Sequence, residues 1–273
     1  MYDPMTAAPP TSLLRLSQAA PGVALITLAR PVARNALSLA MIAALETTFA
    51  KIAADAKIRC VIIASEGPAF CAGHDLRELT DARKGPDAGR AFFEETMLRC
   101  AGVMQAIAAL PQPVIAAVEG VATAAGCQMV AACDLAVAGA AAKFCTPGVD
   151  IGLFCSTPAV ALGRNVAHKH AMEMLLTGDM ISADDAFRIG LVNRVAPAGN
   201  ALTEAIALAK KIAGKPAATV QLGKRTFYAQ IGQDLASAYA IAGRAMVENL
   251  LHADAREGID AFIDKRKPKW QED

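Results

Sequence analysis

Residues 111–134, PQPVIAAVEGVATAAGCQMVAACD, leave the backbone few ways to run. Pro111 and Pro113 bias their preceding residues toward extended conformations, and the apolar run VIAAV at 114–118 reads as a short buried strand. Thr123, Ala124, Ala125 and Gly126 supply the small side chains of a tight turn, and an apolar helical pattern starts directly behind them. A helix start exposes N–H groups with no partner inside the helix, and the macrodipole adds partial positive charge there. Such a point is suited to a developing oxyanion, and side chains larger than Ala would block approach to its backbone. Asp134 reads as a structural residue at the helix end.

The preceding chain builds toward this stretch. GVALITLA at 22–29 predicts a strand, and the loop RPVARNALS ends at Ser38, a good helix cap. Ile42, Leu45, Phe49 and Ile52 recur at helical spacing, predicting a helix to about residue 54. CVIIA at 60–64 predicts a second buried strand, closed by Gly67-Pro68. A turn, AGHD at 72–75, has a helix start behind it; the polar stretch 80–90 is expected to be a mobile loop. A long helix through Phe92, Met97, Val103 and Ile107 then returns to Pro111. Strands alternating with helices imply a parallel-type sheet with crossover helices. LAVAG at 135–139 and AKFCTP at 142–147 predict further strands. Beyond about Arg164 the pattern is helical only, with late helices at 201–213, 216–230, 234–251 and 254–265, and Ser182 with Asp185 predicts a capping box.

A length of 273 residues allows one large domain, or one domain with a C-terminal helical extension. A net charge of +1 gives no electrostatic case for nucleic acid. The seven cysteines are odd in number and form no C-x-x-C pair, which favours a reducing cytoplasm. Residues 1–20 read as a disordered lead without a secretion signal. The most apolar region, 113–142, is interrupted by Glu119 and Asp134, which argues against a membrane span. His168 and His170 fall on different sides of a helix with no further ligand at metal spacing, so no metal is expected.

With AFCAGHDLREL at 69–79, the 111–134 stretch resembles the enoyl-CoA hydratase/isomerase (crotonase) family, which carries an AGxD turn and a GGGCE-like turn about fifty residues apart. TPGVDIGLFCSTP at 146–158, LLTGDMISADDAFRIGLVNRV at 175–195 and EGIDAFIDKRKPKW at 257–270 extend the resemblance from about Arg30 to the C-terminus. It implies an α/β fold: a ββα spiral core over 21–200, then a helical region, 201–273, that serves trimer formation and covers an acyl pocket. It also implies a homotrimer or dimer of trimers acting on an acyl-CoA thioester as a lyase or isomerase of fatty acid metabolism. CoA is then part of the substrate, and no separate cofactor is expected.

Polarising a thioester carbonyl requires two preorganised donors at its oxygen. The family motif implies the backbone N–H groups of His74 and Ala125; Ala125 stands where Gly is usual, but a backbone donor survives that change. The His74 side chain itself reads as a packing or hydrogen-bonding group. The resemblance further implies substrate contacts at Ala33, Arg34, Ala36, Ala72, His74, Asp75, Leu76, Ala124, Ala125 and Lys265. Hydration needs a base and an acid, which the family's hydratases supply as two glutamates. Their positions fall on Gln128 and Gly148, and a third carboxylate position used by some isomerases falls on Ser156. None of these three exchanges a proton as a carboxyl does. Asp150 is the nearest ionisable candidate, with a structural hydrogen-bonding role favoured; Cys145 and Cys155 flank the region without a His or acid partner. Three readings follow: a thioester enzyme working through an enolate, a decarboxylase of malonyl-type thioesters, and a non-catalytic acyl-CoA binder. Glutamates placed together at 128 and 148 are expected to raise water addition.

Overall fold

The computed structural model describes residues 12–271. In chain order its strands are β1 (Leu14–Ala20), β2 (Val23–Leu28), β3 (Cys60–Ser65), β4 (Ala69–Cys71), β5 (Val114–Val118), β6 (Val121–Thr123), β7 (Leu135–Gly139), β8 (Lys143–Cys145), β9 (Ile181–Ser182) and β10 (Arg194–Ala196). The helices preceding β5 are α1 (Leu39–Ala53), α2 (Leu76–Ala82) and α3 (Arg90–Ala109). Those following are α4 (Ala125–Ala132), α5 (Ser156–Asn165), α6 (His168–Thr177), α7 (Ala183–Arg188), α8 (Ala201–Ala213), α9 (Ala217–Gln230), α10 (Leu235–Leu251) and α11 (Ala253–Ile263).

Two sheets result. The larger has the order β1-β2-β3-β5-β7-β10, antiparallel only between β1 and β2, and the smaller has the order β4-β6-β8-β9, antiparallel only between β8 and β9. Alternate residues of the larger sheet feed different cores, as the two-residue period of a strand requires. Ile26, Val61, Ile63, Val114 and Ala116 join the main cluster with α1, α3 and α4. Val23, Cys60, Ile62, Ile115 and Val137 face the other way, onto Ala201, Ala205 and Ala209 of α8. Burial on both faces explains why these strands read as continuous apolar runs.

Several expectations change. The lead ends earlier than residue 20, because Leu14–Ala20 pairs with β2, a contact with no local signature; residues 1–11 lie outside the described residues. The pattern beyond Arg164 is not purely helical: β9 and β10 are too short to show periodicity, yet β10 completes the larger sheet beside β7. The loop expected at 80–90 is present but shorter, 83–89, since α2 runs to Ala82 and α3 starts at Arg90, and the Asp87 carboxylate anchors its end by accepting the N–H groups of Gly89 and Ala91. Helix α8 covers the sheet and so belongs to the core rather than to a separate helical region. Its N-terminus is capped by Glu119, which accepts the Ala201 N–H at 2.9 Å.

Asp134 lies just beyond α4, but its partners are distant in sequence. Its carboxylate accepts the Val114 N–H (2.7 Å), the Lys224 ammonium (2.7 Å) and the Tyr228 hydroxyl (2.8 Å). Lys224 also donates to the carbonyls of Ile107 and Gln112, which uses all three of its hydrogens. This network ties α9 to the start of β5.

Candidate active site

The two small-residue turns meet because β4 and β6 are parallel neighbours, in register at Ala69 with Val121 and at Cys71 with Ala122. Each strand is followed by a helix, so the N-termini of α2 and α4 sit side by side at the carboxyl ends of their strands. Gly73 has φ 86°, and a Cβ there would stand 2.9 Å from the Ala124 Cβ and 3.4 Å from the Ala125 nitrogen. Only glycine leaves that gap between the turns open. Gly126 lets α4 approach β4 equally closely: a Cβ on it would come within 2.8 Å of the Cys71 Cβ.

Two N–H groups, those of His74 and Ala125, have no acceptor among the described residues. The Leu37 N–H donates to the Gly73 carbonyl (2.8 Å) and the Asp75 N–H to the Leu37 carbonyl (3.2 Å), so the intervening His74 N–H points to the other side. The Ala124 N–H donates to the Cys145 carbonyl (3.0 Å), and the next one, of Ala125, opens α4 without a backbone acceptor among the described residues. Ala124 reaches this arrangement at φ 50° and ψ −118°, a region that holds roughly 1–3 kcal/mol of strain for a residue with a Cβ.

The loop containing Ala33, Arg34 and Ala36 lies against the first turn. The Ala72 N–H donates to the Arg34 carbonyl (3.0 Å), and the Arg30 guanidinium donates to Asp75 at 2.7 Å. Burial would raise the Asp75 pKa, but Arg30 and the Arg77 and Glu78 amides outweigh it and hold the carboxyl below its ordinary value. Asp75 also caps α2 through the Arg77 N–H, and Leu76 begins that helix, half exposed. Sequence reasoning missed Asn35. Fully buried at φ 53°, it accepts the Arg30 N–H and donates to the carbonyls of Glu66 and Ala69, so it sets the loop's shape. An Asn inside a loop tolerates the left-handed region, which is the one local signal it carried. The Arg34 side chain is exposed. Lys265 lies beyond α11 at φ 54°, and no hydrogen bond or ion pair among the described residues ties it to the turns.

Gln128 stands one turn into α4, its N–H bonded to the Ala124 carbonyl at 3.0 Å, and helix geometry leans its side chain back toward the Ala125 end. It is 4% exposed, and its Oε1 is closed to solvent with no hydrogen-bond partner among the described residues. The same holds for Nε2 of His74, whose pKa burial pushes down, leaving a neutral imidazole at pH 7. Gly148 is buried in a 3-10 turn, Pro147–Ile151, that folds onto itself. The Leu153 N–H donates to the Gly148 carbonyl at 2.8 Å; a Cβ on Gly148 would collide with the Leu153 carbonyl oxygen and stand 2.8 Å from the Cys155 sulfur. Asp150 is exposed, its carboxylate turned toward Gly178 at the end of α6. Ser156 begins α5, exposed, with its hydroxyl on the Phe154 carbonyl. Burial raises the Cys145 and Cys155 thiols, which works against a thiolate nucleophile. Two concavities lie elsewhere, one between α6 and α7 and one beside Lys224. Among the described residues no helix is long and apolar enough to cross a membrane.

The family model described as enoyl-CoA hydratase/isomerase matches residues 18–273. Mouse enoyl-CoA hydratase domain-containing protein 3, mitochondrial, is 51% identical over 249 residues, covering 91% of this chain and 81% of the relative. Among solved structures, an enoyl-CoA hydratase of Mycobacterium smegmatis superposes with a TM-score of 0.91 at 51% identity, covering 95% of this chain and 99% of that one. The human enoyl-CoA hydratase domain-containing protein 3 gives a TM-score of 0.89 at 46% identity, over 95% and 100% of the two chains.

Proposed function

The chain belongs to the enoyl-CoA hydratase/isomerase family, and from that membership we propose that it binds acyl-CoA thioesters with the carbonyl oxygen between the N–H groups of His74 and Ala125. The observation that carries this reading is the abutment of the two turns at Gly73, with two N–H groups left over beside it. Both donors are backbone and pre-positioned, so they meet charge developing on the oxygen without reorganising. An enolate is the intermediate such a seat favours. Arg34 and its neighbours Ala33 and Ala36, tied to Ala72, are placed to border the CoA portion. Gln128 and Gly148 stand at the positions of the family's glutamates, and neither supplies a carboxyl; thioester binding with inefficient hydration is therefore the reading the site supports best.

The test is the Gly73→Ala variant. The added methyl intrudes beside the Ala125 nitrogen and is strained at φ 86°. Calorimetry with acetoacetyl-CoA is expected to show saturable binding by the wild type and a loss of roughly tenfold or more in the variant, since about 1.4 kcal/mol of lost interaction is a factor of ten. No binding by the wild type at millimolar ligand refutes the seat.

Leu235, Tyr239, Met246, Val247, Leu250 and Phe262 leave α10 and α11 with large exposed apolar side chains. A face of that kind supports assembly into a homotrimer or a dimer of trimers. Light scattering is expected to give three or six chains per particle, and a monomer at micromolar concentration refutes this. Seven buried free thiols support a reducing compartment, either the cytoplasm or the mitochondrial setting in the mouse relative's name, which fractionation distinguishes.

A further inference from the structure

The turn at 72–75 is gripped by both ends of the loop 30–37. At one end Leu37 bridges to His74, donating to the Gly73 carbonyl at 2.8 Å and accepting the Asp75 N–H at 3.2 Å. A trans peptide points its C=O and N–H in opposite directions, so the hold on the Gly73 carbonyl also aims the His74 N–H. At the other end the Arg30 guanidinium donates to Oδ2 of Asp75 at 2.7 Å, while Oδ1 of the same carboxylate accepts the Arg77 N–H. One side chain thus joins the loop, the turn and the start of α2. Resting on the seat proposed above, we propose that Arg30 is a positioning residue: through Asp75 it holds the His74 N–H on the thioester oxygen, and so sets how strongly the carbonyl is polarised.

The guanidinium acts on the donor without being needed for the loop or the helix. Asn35 shapes the loop through bonds to the Arg30 N–H and to the carbonyls of Glu66 and Ala69, none of which uses the Arg30 side chain. The Arg34 carbonyl keeps its own bond to Ala72. Helix α2 is capped by Oδ1 of Asp75 and tied to α1 where the Glu78 carboxylate accepts the Leu39 N–H at 2.9 Å. What Arg30 alone supplies is a fixed place for a carboxylate that is 8% exposed, through a short charge-assisted bond. Without it, the Asp75 N–H keeps only its 3.2 Å bond to Leu37, the longer of the two, and the adjoining His74 N–H is free to tilt. A hydrogen bond weakens steeply as its donor turns away. Polarisation is then lost while the loop that borders the CoA portion stays in place.

The test reads the carbonyl itself. Infrared spectra of butyryl-CoA carrying heavy carbon at the thioester carbonyl report a stretch that falls as charge is drawn onto the oxygen. The wild-type full chain is expected to lower that stretch on binding, and a folded Arg30→Met variant to lose about half of the fall, one of two donors being misaligned. Butyryl-CoA affinity is expected to drop roughly threefold to tenfold, the worth of one hydrogen bond. Affinity for CoA itself, which has no thioester carbonyl, is expected to stay within about twofold. A full wild-type fall in folded Arg30→Met, or equal losses of CoA and butyryl-CoA affinity, would overturn the assignment. Should Arg30→Met not fold, Asp75→Asn is read in its place, because asparagine caps a helix as well as aspartate but lacks the charge that Arg30 holds. The same results then support or overturn the role. A wild type that binds butyryl-CoA without any fall in the stretch removes the seat and the role together. A wild-type fall untouched by the substitution leaves the seat standing and removes only Arg30.

Discussion

Wild-type protein is expected to add water to crotonyl-CoA several decades more slowly than a family member with two glutamates. A positioned acid or base is worth roughly 10²–10⁴-fold, and two of them need not be additive. Gln128 holds its amide buried beside the seat but takes up no proton at neutral pH. The more discriminating result concerns repair. Side-chain chemistry alone suggests that glutamates at both positions restore turnover, and the packing around Gly148 argues otherwise. Any side chain there starts with its Cβ against the Leu153 carbonyl and the Cys155 sulfur, inside a turn closed by the Leu153 N–H. Overpacking of this kind costs about 1–3 kcal/mol and moves backbone. Gly148→Glu is therefore expected to lower thermal stability and gain no hydration, alone or with Gln128→Glu. The single Gln128→Glu variant is expected to fold and to gain little. A wild-type rate matching a competent hydratase would falsify this account and direct attention to Asp150 or the His74 imidazole; a stable, active double variant would show that the 147–155 segment yields.

Lys224→Met is expected to destabilise the chain by about 3–5 kcal/mol, the usual consequence of removing one partner from a buried ion pair. The Lys224 side chain is 6% exposed and that of Asp134 15%, and the substitution strips hydrogens from two carbonyls and a carboxylate at once. Burial together with the Asp134 charge raises the Tyr228 pKa, so its hydroxyl stays protonated and donating at neutral pH. Tyr228→Phe removes one hydrogen bond and is expected to cost about 1 kcal/mol. Denaturant unfolding at a fixed protein concentration ranks the two variants. Lys224→Met as mild as Tyr228→Phe would mean that solvent reaches the ammonium and that α9 is held elsewhere.

Local chemistry in the sequence was dependable. Ser38 caps α1 by accepting the Met41 N–H, and Ser182 with Asp185 forms the capping box, because both signals lie within four residues. The paired turns were legible for a similar reason: small residues and motif spacing mark them. Contacts between distant residues were not. Lys224 meets Asp134 across 90 residues, and nothing in VQLGKRTF distinguishes that lysine from a solvated one. Gly148 illustrates a different limit. A glycine at a position where the resemblance implies a carboxyl is legible in the sequence, but the Leu153 carbonyl packed over it is a fact of backbone path. Strands Leu14–Ala20 and Arg194–Ala196 were missed because one alternates poorly and the other is three residues long.

The position of β10 bears on how the chain is made. Strand β7 pairs with β5 on one side and with β10 on the other, and α8 roofs the far face of the same sheet. Both closing elements follow residue 193, so a nascent chain that has emerged only through the seat-forming segment carries an open strand edge at Leu135–Gly139 and an unroofed strip of Ile62, Ile115 and Val137. Open edges and bare apolar faces are where growing chains pair with one another. Synthesis of the last third, rather than of the segment that builds the site, therefore sets how long this strand edge and apolar strip stay open.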